Sequence, residues 1–339
     1  MKQIIGRQSL AFERPVYISG YASMVGQKEG EGPLGKLFDI VGKDHFFGEK
    51  TWEMAESTLQ KEVAQVAIAK AKLESWQVRY VFAGDLLEQL IATSYGLADL
   101  QIPLFGLYGA CSTIGEGLSL AAMNVSGGFS EYCLALTSSH FGSAEKQFRN
   151  PLGYANQRPL SATYTVTGSG AFVLGGTSGK CKIGGITTGK IVDYGVEDSM
   201  NMGASMAPAA CDTIYQNFID FNRNPKDYDR IITGDLGYVG QEILIKLLKD
   251  KGYDISNQHM DCGIEIFNRE TQDTHSGGSG CGCAAVTLAA LIIPKIEAGE
   301  WKRVLFVPTG ALMSKVSFNE GQTVPGIAHG VVLEHNREN

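Results

Sequence analysis

The sequence predicts an α/β protein made of two similar halves. A strand, the tripeptide Gly-Asp-Leu and a helix occur in this order from Tyr80 and again from Arg230. A turn of glycine and cysteine, an Ala/Leu helix and a buried strand follow from Cys111 and again from Cys281. One strand-helix-strand-helix-strand (βαβαβ) unit is therefore present twice. Alternating strands and helices predict right-handed crossovers and mostly parallel sheets covered by helices. The two units then form an αβαβα layered architecture, with the Cys111 and Cys281 helices in the central layer.

The apolar pattern places the elements of the first half and the boundary between the halves. We assign residues 1–178 to an N-terminal half and residues 179–339 to a C-terminal half. Between Ser138 and Thr165 the sequence is polar and irregular, which predicts a long functional loop. The predicted strands are Ser9–Ser23, Val78–Ala83, Glu131–Leu136 and Thr167–Gly176, and the predicted helices are Thr51–Leu73 and Leu86–Tyr95.

Cys111 lies in the most informative stretch, where the apolar run from Pro103 meets Gly109-Ala110-Cys111. Small residues at helical spacing follow, so the cysteine lies at or beside the start of a buried helix. Free amides and the helix dipole at that position favour a thiolate, which predicts a lowered pKa and a nucleophile or an anion-facing group. The alternative is a core cysteine that fills space as a small hydrophobe.

Composition excludes several classes of protein. The chain has 339 residues, 44% of them hydrophobic, and its 36 acidic and 29 basic residues give a net charge of -7, which argues against nucleic-acid binding. Seven cysteines without framework spacing indicate reduced thiols in a cytosol-like compartment. The N-terminal residues have no secretory pattern, and the longest apolar run, 283–294, is shorter than the about 20 residues that span a bilayer. We therefore expect a soluble protein.

These residues carry a family resemblance over nearly the whole chain. The duplicated unit with its helix-starting cysteine resembles the thiolase superfamily, especially condensing enzymes of the ketoacyl-synthase III type. Within it, the opening from Gly6 to Leu10, the Gly-Asp-Leu pair and the stretch from His275 to Cys283 resemble the stage V sporulation protein AD family. The resemblance implies a non-enzymatic, thiolase-like protein that binds dipicolinic acid and serves its movement into the developing spore.

The chain also departs from the pattern of those condensing enzymes. They pair the cysteine with a histidine and an asparagine or a second histidine, but Gly234 stands in the histidine's place and Gly278 in the asparagine's place. Without them, condensation lacks its acid/base partner and its oxyanion donors, each worth on the order of a hundredfold in rate. We therefore expect no catalytic residues and no cofactor.

Several other residues are candidates for a ligand site. Asp85 and Asp235 end corresponding strands, where ligands collect in parallel sheets, although Asp85 has the spacing of a helix cap. Arg158, in the long polar loop near Lys146 and Arg149, is the favoured guanidinium for a ligand carboxylate, and the alternative is a solvated loop charge or a dimer contact. Ser279 follows the glycine loop and is included in the predicted site.

Two histidines complete the candidate residues. His275 and His329 could form a pair with Cys111, although a purely structural role for each is the more common case. Cys262, His275, Cys281 and Cys283 do not have paired zinc spacing, so we expect no metal site.

We expect a binding module for pyridine-2,6-dicarboxylate, with or without calcium, that acts as a homodimer. With no membrane segment expected, it would work as a peripheral protein at the spore inner membrane, beside other SpoVA membrane proteins. One alternative is an acyl-transferring enzyme that forms a thioester on Cys111. Another is a scaffold for membrane partners that binds no small ligand.

Overall fold

The computed structural model describes residues 3–337, without the side chains of Tyr154 and Ala155. The first half contains β1 (Ile4–Ile5), β2 (Ser9–Leu10), β3 (Tyr17–Val25), α1 (Gln27–Gly30), β4 (Ile40–Val41), α2 (Trp52–Lys70), β5 (Val78–Gly84), α3 (Ile91–Leu97), β6 (Leu104–Gly106), α4 (Thr113–Ser126), β7 (Tyr132–Ser139), α5 (Phe141–Phe148), β8 (Tyr164–Thr165) and β9 (Gly168–Gly175). A 3₁₀ turn, Ala110–Ser112, leads into α4.

The second half repeats this plan with different connections. It contains β10 (Cys181–Thr187), α6 (Met202–Phe221), β11 (Arg230–Thr233), α7 (Gly237–Asp250), β12 (His259–Asp261), α8 (Cys262–Glu265), β13 (Gly278–Ser279), α9 (Cys281–Thr287), α10 (Ile293–Glu297), β14 (Arg303–Val307), β15 (Thr309–Ala311), α11 (Lys315–Asn319), β16 (Gly326–Ala328) and β17 (Gly330–His335). A π-helical turn, Leu288–Ile292, joins α9 to α10.

The strand order confirms the duplication. It is β6-β5-β7-β9-β3 in the first half and β12-β11-β14-β17-β10 in the second. In each half the first three strands are mutually parallel and the last two pair antiparallel. The expectation of mostly parallel sheets therefore holds for only part of each half, because the chain reverses direction to enter β9 and β17. A two-residue pairing between β3 and β10 joins the two halves into one sheet.

The layers are arranged as the repeat predicts. Helices α4 and α9 pack on the central strands and against each other. Every residue of α9 is buried, and its small side chains permit a close approach, since a Cβ on Gly282 would lie 2.4 Å from the carbonyl oxygen of Gly168. Helices α2 and α3 cover the outer face of the first half, and α6 and α7 cover that of the second.

Two local predictions are wrong. The helix predicted from Leu86 starts only at Ile91, because Gln89 and Leu90 adopt φ values of 57° and 50° and interrupt it. The stretch predicted as one long loop contains α5, which His140 caps by accepting a hydrogen bond from the amide of Gly142 at Nδ1. This missed helix forms one wall of the candidate site.

Candidate functional site

A cavity of about 250 Å³ opens beside Cys111, between the two halves of the chain. We call it the Cys111 cavity. Most of its wall is apolar, from Leu86, Tyr108, Phe148, Met202 and Met313. The polar residues in the wall are Cys111, Glu145, Arg149, Thr163, Thr165, Ser279 and Ser314, together with Gly280. An apolar pocket with a few convergent polar groups is the usual form of a small-molecule site.

Cys111 lies at the end of a buried chain of polar groups. Its Sγ is 3.9 Å from Oγ of Ser279, and that hydroxyl donates to Oδ2 of Asp235 at 2.6 Å. Asp235 also accepts hydrogen bonds from the amide of Gly280 at 3.1 Å and from the hydroxyl of Thr309 at 2.7 Å. Three predicted site residues therefore meet here, with Cys111 and Ser279 in the cavity wall and Asp235 directly behind them.

The predicted lowering of the Cys111 pKa is wrong. Burial and the nearby Asp235 carboxylate raise the pKa of this thiol well above its ordinary value. Cys111 lies in the 3₁₀ turn before α4, and Ala110 before it has a left-handed φ of 52°. Desolvation and a nearby negative charge outweigh the helix dipole here and favour the protonated thiol over the reactive thiolate.

Glu145 and Arg149 are the charged groups in the cavity wall. Nη1 of Arg149 lies 3.1 Å from Oε2 of Glu145, and the two side chains are only 16% and 3% exposed. The angles of this contact do not make a hydrogen bond, so both atoms are buried without a hydrogen-bond partner. Oε1 of Glu145 accepts a long hydrogen bond, 3.4 Å, from the hydroxyl of Thr165. The cavity wall thus contains an ion pair whose two facing atoms make no hydrogen bond.

Arg158 and His275 lie outside the cavity wall. Nη2 of Arg158 donates to the carbonyl oxygen of Asp273 and pairs with Oδ2 of its carboxylate at 3.1 Å. His275 donates from Nδ1 to the carbonyl of Pro159, and its Nε2 lies 3.1 Å from the same carboxylate. These contacts tie the loop before β8 to the loop before β13.

His329 and Asp85 also belong to other surroundings. Nδ1 of His329 accepts from the amide of Gly189 at 3.3 Å, and burial lowers its pKa to about 4, so it is neutral at pH 7. Asp85 accepts from the amide of Leu87 and from the amide and hydroxyl of Thr93. Its carboxylate thus holds the turn before α3 and the first residues of that helix, a role related to the predicted cap.

The part of the chain that the structure describes contains no cluster of three or more His, Cys, Asp or Glu side chains arranged to hold a metal ion. The seven cysteines are all buried and free. Among residues 3–337, no histidine or asparagine lines the Cys111 cavity. Its chemistry is therefore that of a guanidinium, a carboxyl group, hydroxyls and a protonated thiol.

Sequence reasoning missed Glu145 and passed over Arg149 in favour of Arg158. The signal was nevertheless present, because Phe141, Ala144 and Phe148 have helical spacing within the polar stretch. A helix there places residues 145 and 149 four apart, on the same face.

The chain is similar to known proteins over almost its full length. Residues 6–334 match the family Stage V sporulation protein AD. The Stage V sporulation protein AD of Bacillus subtilis (strain 168) is 43% identical over 332 residues, which cover 98% of each chain. Among solved structures, 3-oxoacyl-[acyl-carrier-protein] synthase III from Aquifex aeolicus VF5 is similar with a TM-score of 0.57 at 12% identity, covering 94% of this chain and 100% of that one. Cerulenin-bound OleA from Xanthomonas campestris has a TM-score of 0.58 at 14% identity, covering 96% and 97%. The two structures establish the thiolase-like fold and no more than that.

Proposed function

The chain belongs to the stage V sporulation protein AD family, and from that premise we propose that it binds dipicolinic acid, without transforming it, in the Cys111 cavity. Binding would support uptake of this pyridine-2,6-dicarboxylate into the developing spore. The observation that carries the proposal is the guanidinium of Arg149 in the cavity wall, whose buried Nη1 makes no hydrogen bond and lies 3.1 Å from Oε2 of Glu145.

The shape and chemistry of the cavity support a small flat acid. Its volume of about 250 Å³ is slightly below the roughly 300 Å³ at which drug-sized pockets begin, which favours a single-ring ligand. The rings of Tyr108 and Phe148 offer apolar surface to a pyridine. Arg149 can donate to a carboxylate, and the Thr163, Thr165 and Ser279 hydroxyls lie in the same wall. Arg149 therefore takes the role that the sequence suggested for Arg158.

The state of Cys111 favours binding over catalysis. Acyl transfer needs a thiolate and a group that moves its proton, whereas burial and Asp235 hold the proton on this thiol. The alternative, an enzyme that forms a thioester on Cys111, is supported by the position of Cys111 in the cavity wall. Incubation with acyl-CoA followed by intact mass measurement separates the two proposals, because only the enzyme gains the mass of an acyl group on Cys111.

The place of work is a second part of the proposal. Within residues 3–337, no helix is both long enough and apolar enough to cross a membrane. We propose a peripheral protein at the spore inner membrane that contacts SpoVA membrane proteins. Recovery in the membrane fraction of sporulating cells, together with capture of such a protein, would support this. Recovery entirely in the supernatant, with no SpoVA membrane protein captured, would contradict it.

A homodimer is the third part of the proposal. Strand β6 ends the sheet, and its Leu104 and Phe105 are 42% and 50% exposed. An apolar edge strand is a template for pairing with another chain. Light scattering of the wild type and of Phe105→Lys tests this: the wild type should have twice the mass of the variant, and a monomeric wild type would contradict it.

Calorimetric titration of dipicolinate into two arginine variants tests the site itself. Arg149→Ala should cost roughly 2 to 5 kcal/mol of binding free energy, typical of truncating one partner of a buried charge pair. Arg158→Ala is the matched control and should cost less than about 1 kcal/mol of binding free energy, because Arg158 pairs with Asp273 and lies outside the cavity wall. Benzoate, with one carboxylate, should bind more weakly than dipicolinate. Equal losses in the two variants would place the ligand elsewhere, and no binding at millimolar concentration would favour the scaffold.

A further inference from the structure

The charge of the Cys111 cavity does not match that of a free dicarboxylate. Arg149 is the cation in the cavity wall, and Glu145 already lies 3.1 Å from it. Behind Ser279 is the carboxyl group of Asp235, which has no exposed surface. A dianion entering this wall would leave negative charge buried and uncompensated, which is strongly unfavourable in an apolar site.

Glu145 is the group placed to correct this mismatch. Glu145 lines the cavity, and its buried Oε2 lies 3.1 Å from Nη1 of Arg149 and makes no hydrogen bond, so a proton added there would create a donor available to a ligand. The groups that face it are Arg149 on its own helix, Thr165 on β8, and the more distant Arg158 in the loop before β8. Cys111 and Ser279 line the same cavity, and Asp235 lies behind Ser279, where burial raises the pKa of its carboxyl group as well. Burial raises the pKa of Glu145, and Arg149 and Thr165 oppose that rise.

Resting on the proposed function, we infer that Glu145 takes up one proton when the free dicarboxylate binds. An O–H bond forms at Oε2 with a proton released by a buffer acid, and the resulting carboxylic acid donates to one ligand carboxylate while Arg149 donates to the other. A ligand that arrives as its calcium chelate brings its own positive charge, so Glu145 remains ionised and no proton is taken up. The cavity therefore accepts an aromatic dicarboxylate only with a proton or a divalent cation.

Titration calorimetry in two buffers of different ionisation enthalpy measures the proton directly. For the wild type at pH 8 with dipicolinate and no calcium, we expect an uptake of about one proton per bound ligand. The affinity should fall about tenfold per pH unit above the pKa that Glu145 has in the protein without ligand. Excess calcium should bring the uptake close to zero. Binding with no proton uptake in calcium-free buffer at any pH from 6 to 9 would overturn the inference and leave the proposed function intact.

Two variants assign the proton to its residue. Glu145→Gln imitates the protonated acid in shape and charge, so it should still bind with no uptake and a flat pH profile. Glu265→Gln is the matched control, because Glu265 is also partly buried beside an arginine, Arg230, but lies on α8 outside the cavity wall. It should behave as the wild type. Uptake that persists in Glu145→Gln would assign the proton to another group and overturn the inference. Failure of dipicolinate, isophthalate and benzoate to bind at all would overturn the proposed function and this inference together.

Discussion

Cys111 and Cys281 begin equivalent helices in the two halves, yet only one of them faces open space. Sγ of Cys111 lines the cavity, whereas Sγ of Cys281 donates to the carbonyl of Ala110 at 3.0 Å and is fully buried. The segments after the equivalent strands β7 and β14 also differ: α5 follows β7, and β15 follows β14 and packs on the Ala110–Ser112 turn. Of the two equivalent turns, the one at Cys111 therefore borders a cavity because the segments that cover it leave space beside its thiol.

The two Gly-Asp-Leu corners differ in the same way. Asp235 accepts hydrogen bonds from residues far along the chain, Ser279 and Thr309, and lies behind the Cys111 cavity. Asp85 accepts from the segment that follows it, and the hydroxyl of Thr93 links it to Gln60. Gln60 and Glu56 in turn both contact the hydroxyl of Ser138, so the Asp85 corner contains two buried carboxyl groups. The Asp235 corner has a second buried carboxyl group as well, that of Asp261, which accepts from the amides of Leu236 and Gly237. The corners differ in that Asp235 supports the cavity wall, whereas Asp85 and Glu56 form a buried acidic core.

The largest expected effect tests that acidic core. Burial and the Asp85 charge raise the pKa of Glu56 from 4.5 to about 8, so the folded state holds a proton that the unfolded state releases. This stabilisation is complete below pH 4.5 and is lost as the pH rises to about 8, by at most about 1.4 kcal/mol per pH unit. Glu56→Gln should reduce the slope of unfolding free energy against pH, as measured by urea unfolding from pH 5 to 9, and the buried Glu29 and Asp261, whose pKa values are raised to about 7, keep part of it. The exposed Glu62→Gln on the same helix should keep the slope, and an unchanged slope in Glu56→Gln would contradict the assignment.

The two aspartates should respond differently to substitution by asparagine. Both oxygens of Asp85 accept a backbone amide, so Asp85→Asn turns its NH₂ group toward an N–H and should cost about 3 kcal/mol of unfolding free energy. One oxygen of Asp235 faces only the Thr309 hydroxyl, which can reverse its hydrogen bond, so Asp235→Asn should cost less than about 1 kcal/mol. Chemical denaturation at pH 7 measures both. Equal losses would show that the two corners do not differ as described.

The cysteines themselves give a smaller effect. Cys111→Ala alters the cavity wall and should weaken dipicolinate binding roughly fivefold, about 1 kcal/mol, whereas Cys281→Ala should leave it unchanged. Iodoacetamide should label Cys111 before Cys281, and both slowly, because burial raises the pKa of both thiols. Mass-resolved labelling and calorimetry are the measurements. Labelling of Cys281 before Cys111 would show that Cys281, and not the thiol beside the cavity, is the more accessible of the two.

Salt should have the smallest effect. Because Arg149 is only 16% exposed, its attraction for a bound carboxylate is poorly screened, and raising NaCl from about 0.05 to 0.5 M should weaken binding less than about threefold. A much steeper dependence in titrations at the two salt concentrations would indicate a surface site.

Local patterns predicted the fold well because a duplicated unit repeats its own signals. The strand at Val78, the helix capped by Thr51 and the central cysteine helices all occur where the pattern places them. The helix predicted at Leu86 failed because Asp85 accepts from the amide of Leu87 and holds the chain in a local turn, which competes with the helix that the apolar spacing suggests.

The site was only partly predictable. Cys111, Asp235 and Ser279 converge because each follows a strand end or begins a helix in one half or the other. Arg149 and Arg158 were harder to tell apart, since both lie in one polar stretch and only the unexpected helix α5 decides which of them reaches the cavity. The spacing within residues 141–148 could have predicted α5 itself, but the cavity that α5 borders depends on packing between distant segments, which local patterns do not encode.

The short pairing of β3 with β10 has a consequence for the order in which the protein is made. During synthesis from the N-terminus, Tyr17 and Ile18 at the start of β3 lack their β10 partners until β10 emerges from the ribosome, whereas the end of β3 can already pair with β4. Cys111 likewise waits for Asp235, Ser279 and Thr309. The nascent first half therefore exposes the start of a strand edge, and the Cys111 cavity is completed only near the end of translation, when Ser314 has been added.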